Sequence, residues 1–310
     1  MPRTIWIEPT NYCNLKCIMC PQMINEVGER GFMEFDLFKK IIDQCSQFQP
    51  VIQLFMGGEP LLHKDIVKMI HYIKKNGLKV LLATNATLLN QSLSLNLINS
   101  GIDCLVFSFD GYDKTSYEKI RVGADFDKTL GNIMSFLEMR KKSGKNKPKI
   151  TLYSLCLDTE KTSEEEMAEY KKLHKELEKM HVDRFIVGEA GPWAGKFDYT
   201  SKFKIRKHGS RFIPCPRIWD DMAIRWDGKV VPCCADLRGD VILGEVDKLK
   251  LKEIWNGERL VALREMMIKK KYQEIALCRN CDEPFPLSNM ITWGLPNSYI
   301  PVSILRIIHS

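Results

Sequence analysis

Over roughly its first two hundred residues the chain alternates short β-branched runs with longer segments of helical period, and this alternation constrains its fold more than any other feature. The spacing predicts strands over residues 4–8, 51–56, 79–83, 104–109, 150–157 and 184–187, and helices over 34–48, 64–76, 89–100, 126–142 and 163–180. Phe38, Ile41, Ile42 and Cys45 illustrate the i, i+3, i+4, i+7 spacing that gives a helix one apolar face. Gly77, Gly101 and Gly144 punctuate the ends of such segments. Six βα units in series imply parallel strands joined by right-handed crossovers, in an open doubly wound sheet or a barrel. In either case the active site belongs at the C-terminal ends of the strands, where the βα loops gather.

Past about residue 200 the pattern changes. Residues 223–231 read as a hairpin with Asp227-Gly228 as a two-residue turn, followed by helices over 251–255 and 258–271. Beyond Asp282 the chain is rich in proline and has no period. With 310 residues, this suggests a core domain over 1–205, a small α+β domain over 206–285 and a tail over 286–310. No apolar run approaches the roughly 20 residues of a membrane span. The first strand follows Met1 too closely for a signal peptide, so the expectation is a cytoplasmic protein without membrane association. Net charge is +7, yet the densest basic stretch, Arg140 through Lys149, is broken by Gly144 and Pro148 and has no aromatics to stack on bases. That argues against nucleic acid as a partner.

The chain holds eleven cysteines. In a reducing compartment, clustered cysteines bind metal or do chemistry more often than they pair. Two sets have ligand-like spacing, namely Cys13, Cys17, Cys20 and Cys215, Cys233, Cys278, Cys281, leaving Cys45, Cys104, Cys156 and Cys234. Three thiolates on one loop after the first strand suit three irons of a cubane, with the fourth iron open to a ligand. A zinc ion would want a fourth protein ligand close by, and the nearest histidine, His63, is far along the chain.

Cys13-x3-Cys17-x2-Cys20, with Tyr12 before it and Asn14, Leu15 and Met19 within it, resembles the signature of the radical S-adenosylmethionine (SAM) superfamily. The resemblance implies a partial (β/α)6 barrel. It also implies a 4Fe-4S cluster whose open iron is chelated by SAM, and reductive cleavage of SAM to a 5′-deoxyadenosyl radical. An external electron donor such as flavodoxin or ferredoxin is part of that implication. Gly57-Gly58-Glu59-Pro60, after the second strand, resembles the family's segment that contacts the SAM amino group. Thr84-Asn85-Ala86-Thr87 resembles the next one, with Ala86 where glycine is usual. If that position needs positive φ, Ala86 costs about a kcal/mol or forces a small shift. Ser108-Phe109-Asp110-Gly111 resembles a Ser-x-Asp-Gly segment, and Arg121 matches an arginine that meets the SAM carboxylate. By this matching Gly57, Gly58, Glu59, Asn85, Ser108 and Arg121 seat SAM.

The second cysteine set, with Asp227 through Cys234, Asp236 and Ile254-Trp255-Asn256-Gly257, resembles the SPASM/twitch appendage of the same superfamily. With no cysteine after Cys281 it matches the shorter twitch form, which carries one auxiliary 4Fe-4S cluster. Residue matching assigns Cys233 as the ligand, with Cys234 as the alternative; structural zinc is the alternative occupant. The architecture is similar to twitch-type aminocyclitol dehydrogenases. That likeness implies a sugar- or aminocyclitol-type small-molecule substrate, dehydrogenated or epimerised, with Glu189, Trp193 and Gly195 as candidate substrate contacts. An epimerase needs a hydrogen-atom donor, for which Cys104, Cys156 and Cys234 are the spare thiols. Maturation of a ribosomal peptide is the second enzymatic reading, and a non-enzymatic iron–sulfur or zinc sensor is the third. The SAM motifs would have no task in a sensor.

Overall fold

The computed structural model describes residues 1–111, 113–156, 168, 172–173, 175–177, 179, 181–189, 191, 193–194 and 209–285. Six strands, β1 (Thr4–Ile7), β2 (Val51–Gln53), β3 (Lys79–Thr84), β4 (Cys104–Ser108), β5 (Lys149–Cys156) and β6 (Arg184–Glu189), lie parallel and side by side in chain order. A doubly wound sheet would reverse its order at a switch point. The unbroken order is that of a barrel wall, open because β6 ends the sheet.

Helices α1 (Phe35–Cys45), α2 (Ile66–Lys75), α3 (Gln91–Asn99), α4 (Lys114–Ile120) and α5 (Phe126–Lys142) fill the four crossovers from β1 to β5. The predicted helix over 163–180 and the tail over 286–310 fall largely or wholly outside the described residues. Alternation along each strand sorts side chains between two layers. Ile5, Ile7, Ile52, Val80, Leu82, Leu105 and Phe107 join the α1, α2 and α5 faces in the main core. On the opposite face Val51, Leu81, Cys104 and Val106 form one small cluster, and Trp6, Ala223, Val231 and Cys234 another.

The C-terminal segment extends the same sheet. Strand β7 (Asp221–Ile224) pairs parallel with β1 across Thr4↔Asp221 to Ile7↔Ile224, and β8 (Lys229–Val231) and β9 (Gly244–Glu245) continue antiparallel. The β7–β8 turn is longer than the two residues expected. Gly228 N donates to Arg225 O and Arg225 N to Lys229 O, leaving Trp226, Asp227 and Gly228 in the loop. Gly228 has φ +80°, which makes this a turn closed by a glycine bulge. No helix among the described residues is long and apolar enough to cross a membrane.

Candidate active site

The loop after β1 is fixed by its own polar side chains before any ligand is considered. Asn11 donates to Val27 O and Glu29 O and accepts from Gly31 N, while Thr10 Oγ1 donates to Gly31 O. Lys16 N and Ile18 N donate to Val122 O and Ile120 O, laying the loop beside the end of α4. Cys17 is buried with Leu15, Met19 and Leu155; Cys13 and Cys20 are half-buried beside them. Burial pushes the Cys13 thiol up to about 12, and the Glu59 carboxylate adds to that. Burial also pushes Cys20 up to about 12, helped by Cys17 and Cys13, so the three thiols sense one another. Thiols so placed become thiolates when a cation shares the site, which is the environment a metal cluster supplies. The donor set therefore fits an iron–sulfur cluster.

The loop after β2 presses on this one. A Cβ on Gly58 would stand 2.4 Å from Tyr12 O and 2.5 Å from Thr10 O, so only glycine allows this approach. Gly57 N donates to Glu8 Oε1 at 3.1 Å, and Gln22 Nε2 bridges Gly57 O and Asn11 O at 2.6 and 2.7 Å. Glu59 is buried, and its carboxylate accepts from Leu61 N, Thr84 Oγ1 and Asn85 N. It fastens the β2 loop to the end of β3. Asn85 Nδ2 donates to Asn14 Oδ1, and Asn14 Nδ2 to Thr87 Oγ1, tying the cysteine loop to the same place. Ala86 does take positive φ, at +61°, and is fully buried.

Ser108 ends β4 half-buried. Asp110 and Arg121 form a buried ion pair at 2.6 Å, and Asp110 Oδ1 also accepts from Leu155 N. Arg121 Nε has no hydrogen-bond partner among the described residues, and the guanidinium acts on Cys17. A buried, partly unsatisfied arginine beside the cysteine loop fits an anionic ligand group. Among the substrate-contact candidates, Trp193 donates from Nε1 to Met19 O at 2.9 Å, so its indole packs against the cysteine loop. Glu189 and Cys156 are register partners at the ends of β6 and β5, and Gly195 lies outside the described residues. Cys104 is fully buried beside Thr151, its thiol pushed up to about 12 by burial.

The second set assembles across long sequence separations. Cys215 is buried, and Cys233, Cys278 and Cys281 are half-buried. Beyond burial, Cys233 adds to the upward push on Cys215, Cys278 and Cys281, so it neighbours all three. Cys234 belongs elsewhere. It packs with Trp6, Ala223 and Val231 and accepts from Arg217 Nη1 at 3.3 Å. Its thiol stays protonated beside Cys233, which it lowers by hydrogen bonding. Four thiols within one another's electrostatic reach, with Cys234 facing Trp6 and Arg217, fit a closed cluster ligated through Cys233. Among the described residues no three His, Cys, Asp or Glu side chains gather as a single metal ion would require.

Sequence reasoning missed Glu8, Gln22 and Arg217. Only Glu8 left a signal, a carboxylate ending an apolar strand.

Comparison with known proteins agrees with this geometry. The Radical SAM superfamily profile matches residues 7–170, more than half of the chain, and that of SPASM, an iron–sulfur cluster-binding domain, matches 215–282. The tungsten-containing aldehyde ferredoxin oxidoreductase cofactor-modifying protein of Pyrococcus furiosus is 28% identical over 86% of this chain and 84% of its own. The AdoMet-dependent heme synthase of Methanosarcina barkeri is 33% identical over 43% of this chain and 38% of its own. Among solved structures, BtrN in complex with AdoMet and 2-DOIA superposes with TM-score 0.61 at 18% identity, covering 91% of this chain and 93% of BtrN. Streptococcus suis SuiB bound to S-adenosylmethionine does so with TM-score 0.69 at 18% identity, covering 96% and 76%. At such identities the two structures speak to fold alone. The chain belongs to the radical SAM superfamily and carries a SPASM iron–sulfur cluster-binding domain behind its barrel.

Proposed function

We propose that this chain oxidises a small polar molecule of the sugar or aminocyclitol kind by radical SAM chemistry, with Cys13, Cys17 and Cys20 at the catalytic cluster and Cys215, Cys233, Cys278 and Cys281 at an auxiliary one. Residues 1–205 then serve as the radical core and 206–285 as the auxiliary domain. When bound, the catalytic cluster and SAM supply a reductively generated 5′-deoxyadenosyl radical that takes a hydrogen atom from the substrate.

The protein's part is placement. Gly57 and Gly58 bring bare backbone to the cysteine loop, ready to accept from the SAM ammonium. Glu59 and Asn85 hold the β2, β3 and cysteine loops in one arrangement. Arg121, steadied by Asp110, offers its unsatisfied edge to the SAM carboxylate, and Ser108 offers its hydroxyl at the end of β4.

The carrying observation is the second cysteine set, in which Cys233 neighbours three other thiols. Four thiolates leave no iron open, which suits electron transfer better than substrate binding. A substrate radical that loses an electron ends as an oxidised product, so dehydrogenation is the reading favoured. Cys104 and Cys234 are both buried, which weighs against either as the hydrogen donor of an epimerase. The Pyrococcus furiosus relative is named for modifying a cofactor, and this supports a small molecule over a peptide.

The test is anaerobic reconstitution with iron counting, followed by a screen for 5′-deoxyadenosine release with sugars, aminocyclitols and peptides. About eight irons per chain are expected from two cubanes. Fewer than about six would remove the auxiliary cluster. Turnover with peptides alone would hand the assignment to peptide maturation.

A further inference from the structure

Beside the auxiliary cysteines stands a buried cation that no ligand role explains. Arg217 opens the short helix Arg217–Asp220, two residues after Cys215, and is 3% exposed. Taking a guanidinium out of water costs several kcal/mol unless partners compensate. Its carboxylate partners are loose: Nη1 lies 3.4 Å from Asp221 Oδ2, and Nη2 lies 3.7 Å from Glu283 Oε1. Elsewhere in the molecule Arg3–Asp220 and Arg121–Asp110 close to 2.6 Å, the short contact expected of a charge-assisted bond. Arg217 instead makes its nearest contact with sulfur, Nη1 to Cys234 Sγ at 3.3 Å. Cys234 is the chain neighbour of Cys233, so the guanidinium stands one residue from the ligand set. Its charge also acts directly on Cys215 and Cys233.

We propose that Arg217 is an electrostatic positioning residue of the auxiliary site: its fixed positive charge, buried against Cys234 and two residues from Cys215, raises the reduction potential of the cluster that Cys215, Cys233, Cys278 and Cys281 hold. This rests on the reading above that the four cysteines hold a redox cluster rather than zinc. One-electron reduction adds one negative charge to a buried site, and a nearby cation favours the charged product state. Hydrogen bonds and charges around the ligands are the usual means by which a protein sets such potentials. An arginine suits the task because its charge persists at every working pH. Glu283 has the opposite effect, since its carboxylate acts on both Cys215 and Cys281. Arg217 and Glu283 thus push the potential of the site in opposite directions.

The experiment is a dithionite redox titration of the reconstituted full-length chain, followed by electron paramagnetic resonance, with iron counted for every variant. Arg217→Gln is expected to lower the auxiliary potential and leave that of the N-terminal cluster unmoved. Arg217→Lys keeps the charge and is expected to stay closer to the parent. Glu283→Gln removes the opposing charge, so its auxiliary potential should rise. If Arg217→Gln fails to fold, the lysine variant and Glu283→Gln carry the test. A Glu283→Gln potential equal to or below the parent's would overturn the proposal, as would an Arg217→Gln chain with both clusters and an unmoved auxiliary signal. A parent with a single cluster's iron would instead fail the two-cluster reading, and this inference with it.

Discussion

Glu8 directly follows β1 with its carboxylate wholly enclosed, one oxygen accepting from the Gly57 amide and the other from the Trp226 amide. It therefore joins the loop after β2 to the β7–β8 hairpin. Burial lifts its carboxyl to about 7, against the pull of the two amides and of Arg225, while Asp227 adds to the rise. A carboxyl raised on folding binds protons more tightly in the native chain. Its contribution is complete below the unfolded value of 4.5 and is lost as pH climbs to about 7. The shift corresponds to on the order of 3 kcal/mol at most. Glu8→Gln is expected to flatten the fall in stability between pH 5 and 7 relative to the parent, as read from denaturant melts across that range. Equal slopes for both proteins would show that Glu8 does not titrate there. The residues most readily picked out of the sequence, the triplet Cys13, Cys17, Cys20 and the run Gly57 to Glu59, each form a short local motif. Glu8, Gln22 and Arg217 gain their roles from partners across the fold, such as Trp226 for Glu8, and a linear pattern cannot show that.

At the scale of elements, the strands emerged where apolar β-branched residues run together, and α1 where Phe38, Ile41, Ile42 and Cys45 make one buried stripe. Helix α4 was not legible, because Tyr117 is its one buried residue. Its N-terminus is held by a capping box, with Ser116 N donating to Asp113 Oδ1 at 2.7 Å and Asp113 N donating to Ser116 Oγ at 3.2 Å. Local hydrogen bonding rather than periodicity makes this helix, and Arg121 is its C-cap. Asp113→Ala is expected to cost about 1 kcal/mol of unfolding free energy. Because α4 carries Arg121 to Asp110 and the cysteine loop, the same change should weaken SAM binding severalfold, measured by the perturbation SAM produces in the cluster's paramagnetic signal. Unchanged SAM affinity in a destabilised variant would mean that Asp110 alone positions the arginine. The β7–β8 loop teaches a related lesson. Asp227-Gly228 was rightly read as a turn signal, but the bulge at Gly228 depends on the Arg225–Lys229 pairing, a contact between strands.

The whole molecule is bound together by a sheet that runs from the barrel into the auxiliary domain, in the order β6-β5-β4-β3-β2-β1-β7-β8-β9. Strand β1 is central to that order, although its residues are among the first in the chain. It pairs with β2 on one side and with β7 on the other. The ring of Trp6 packs against Ala223, Val231 and Cys234, and its Nε1 donates to Asp221. Sequence patterning separates two domains because periodicity changes near residue 200, yet it cannot reveal that β7 returns to β1. Register between distant strands is set by which faces find apolar partners, here Trp6 with Ala223. A chain ending at residue 205 would bare the β1 edge together with Trp6 and Glu8. An exposed flat edge with apolar side chains recruits other chains. Such a truncation is expected to elute as soluble aggregate in size-exclusion chromatography, whereas Trp6→Ala in the full chain keeps its edge covered and stays dispersed. A monodisperse, cluster-binding 1–205 fragment would show that the barrel closes without β7, and that the auxiliary strands are an addition to the wall rather than part of it.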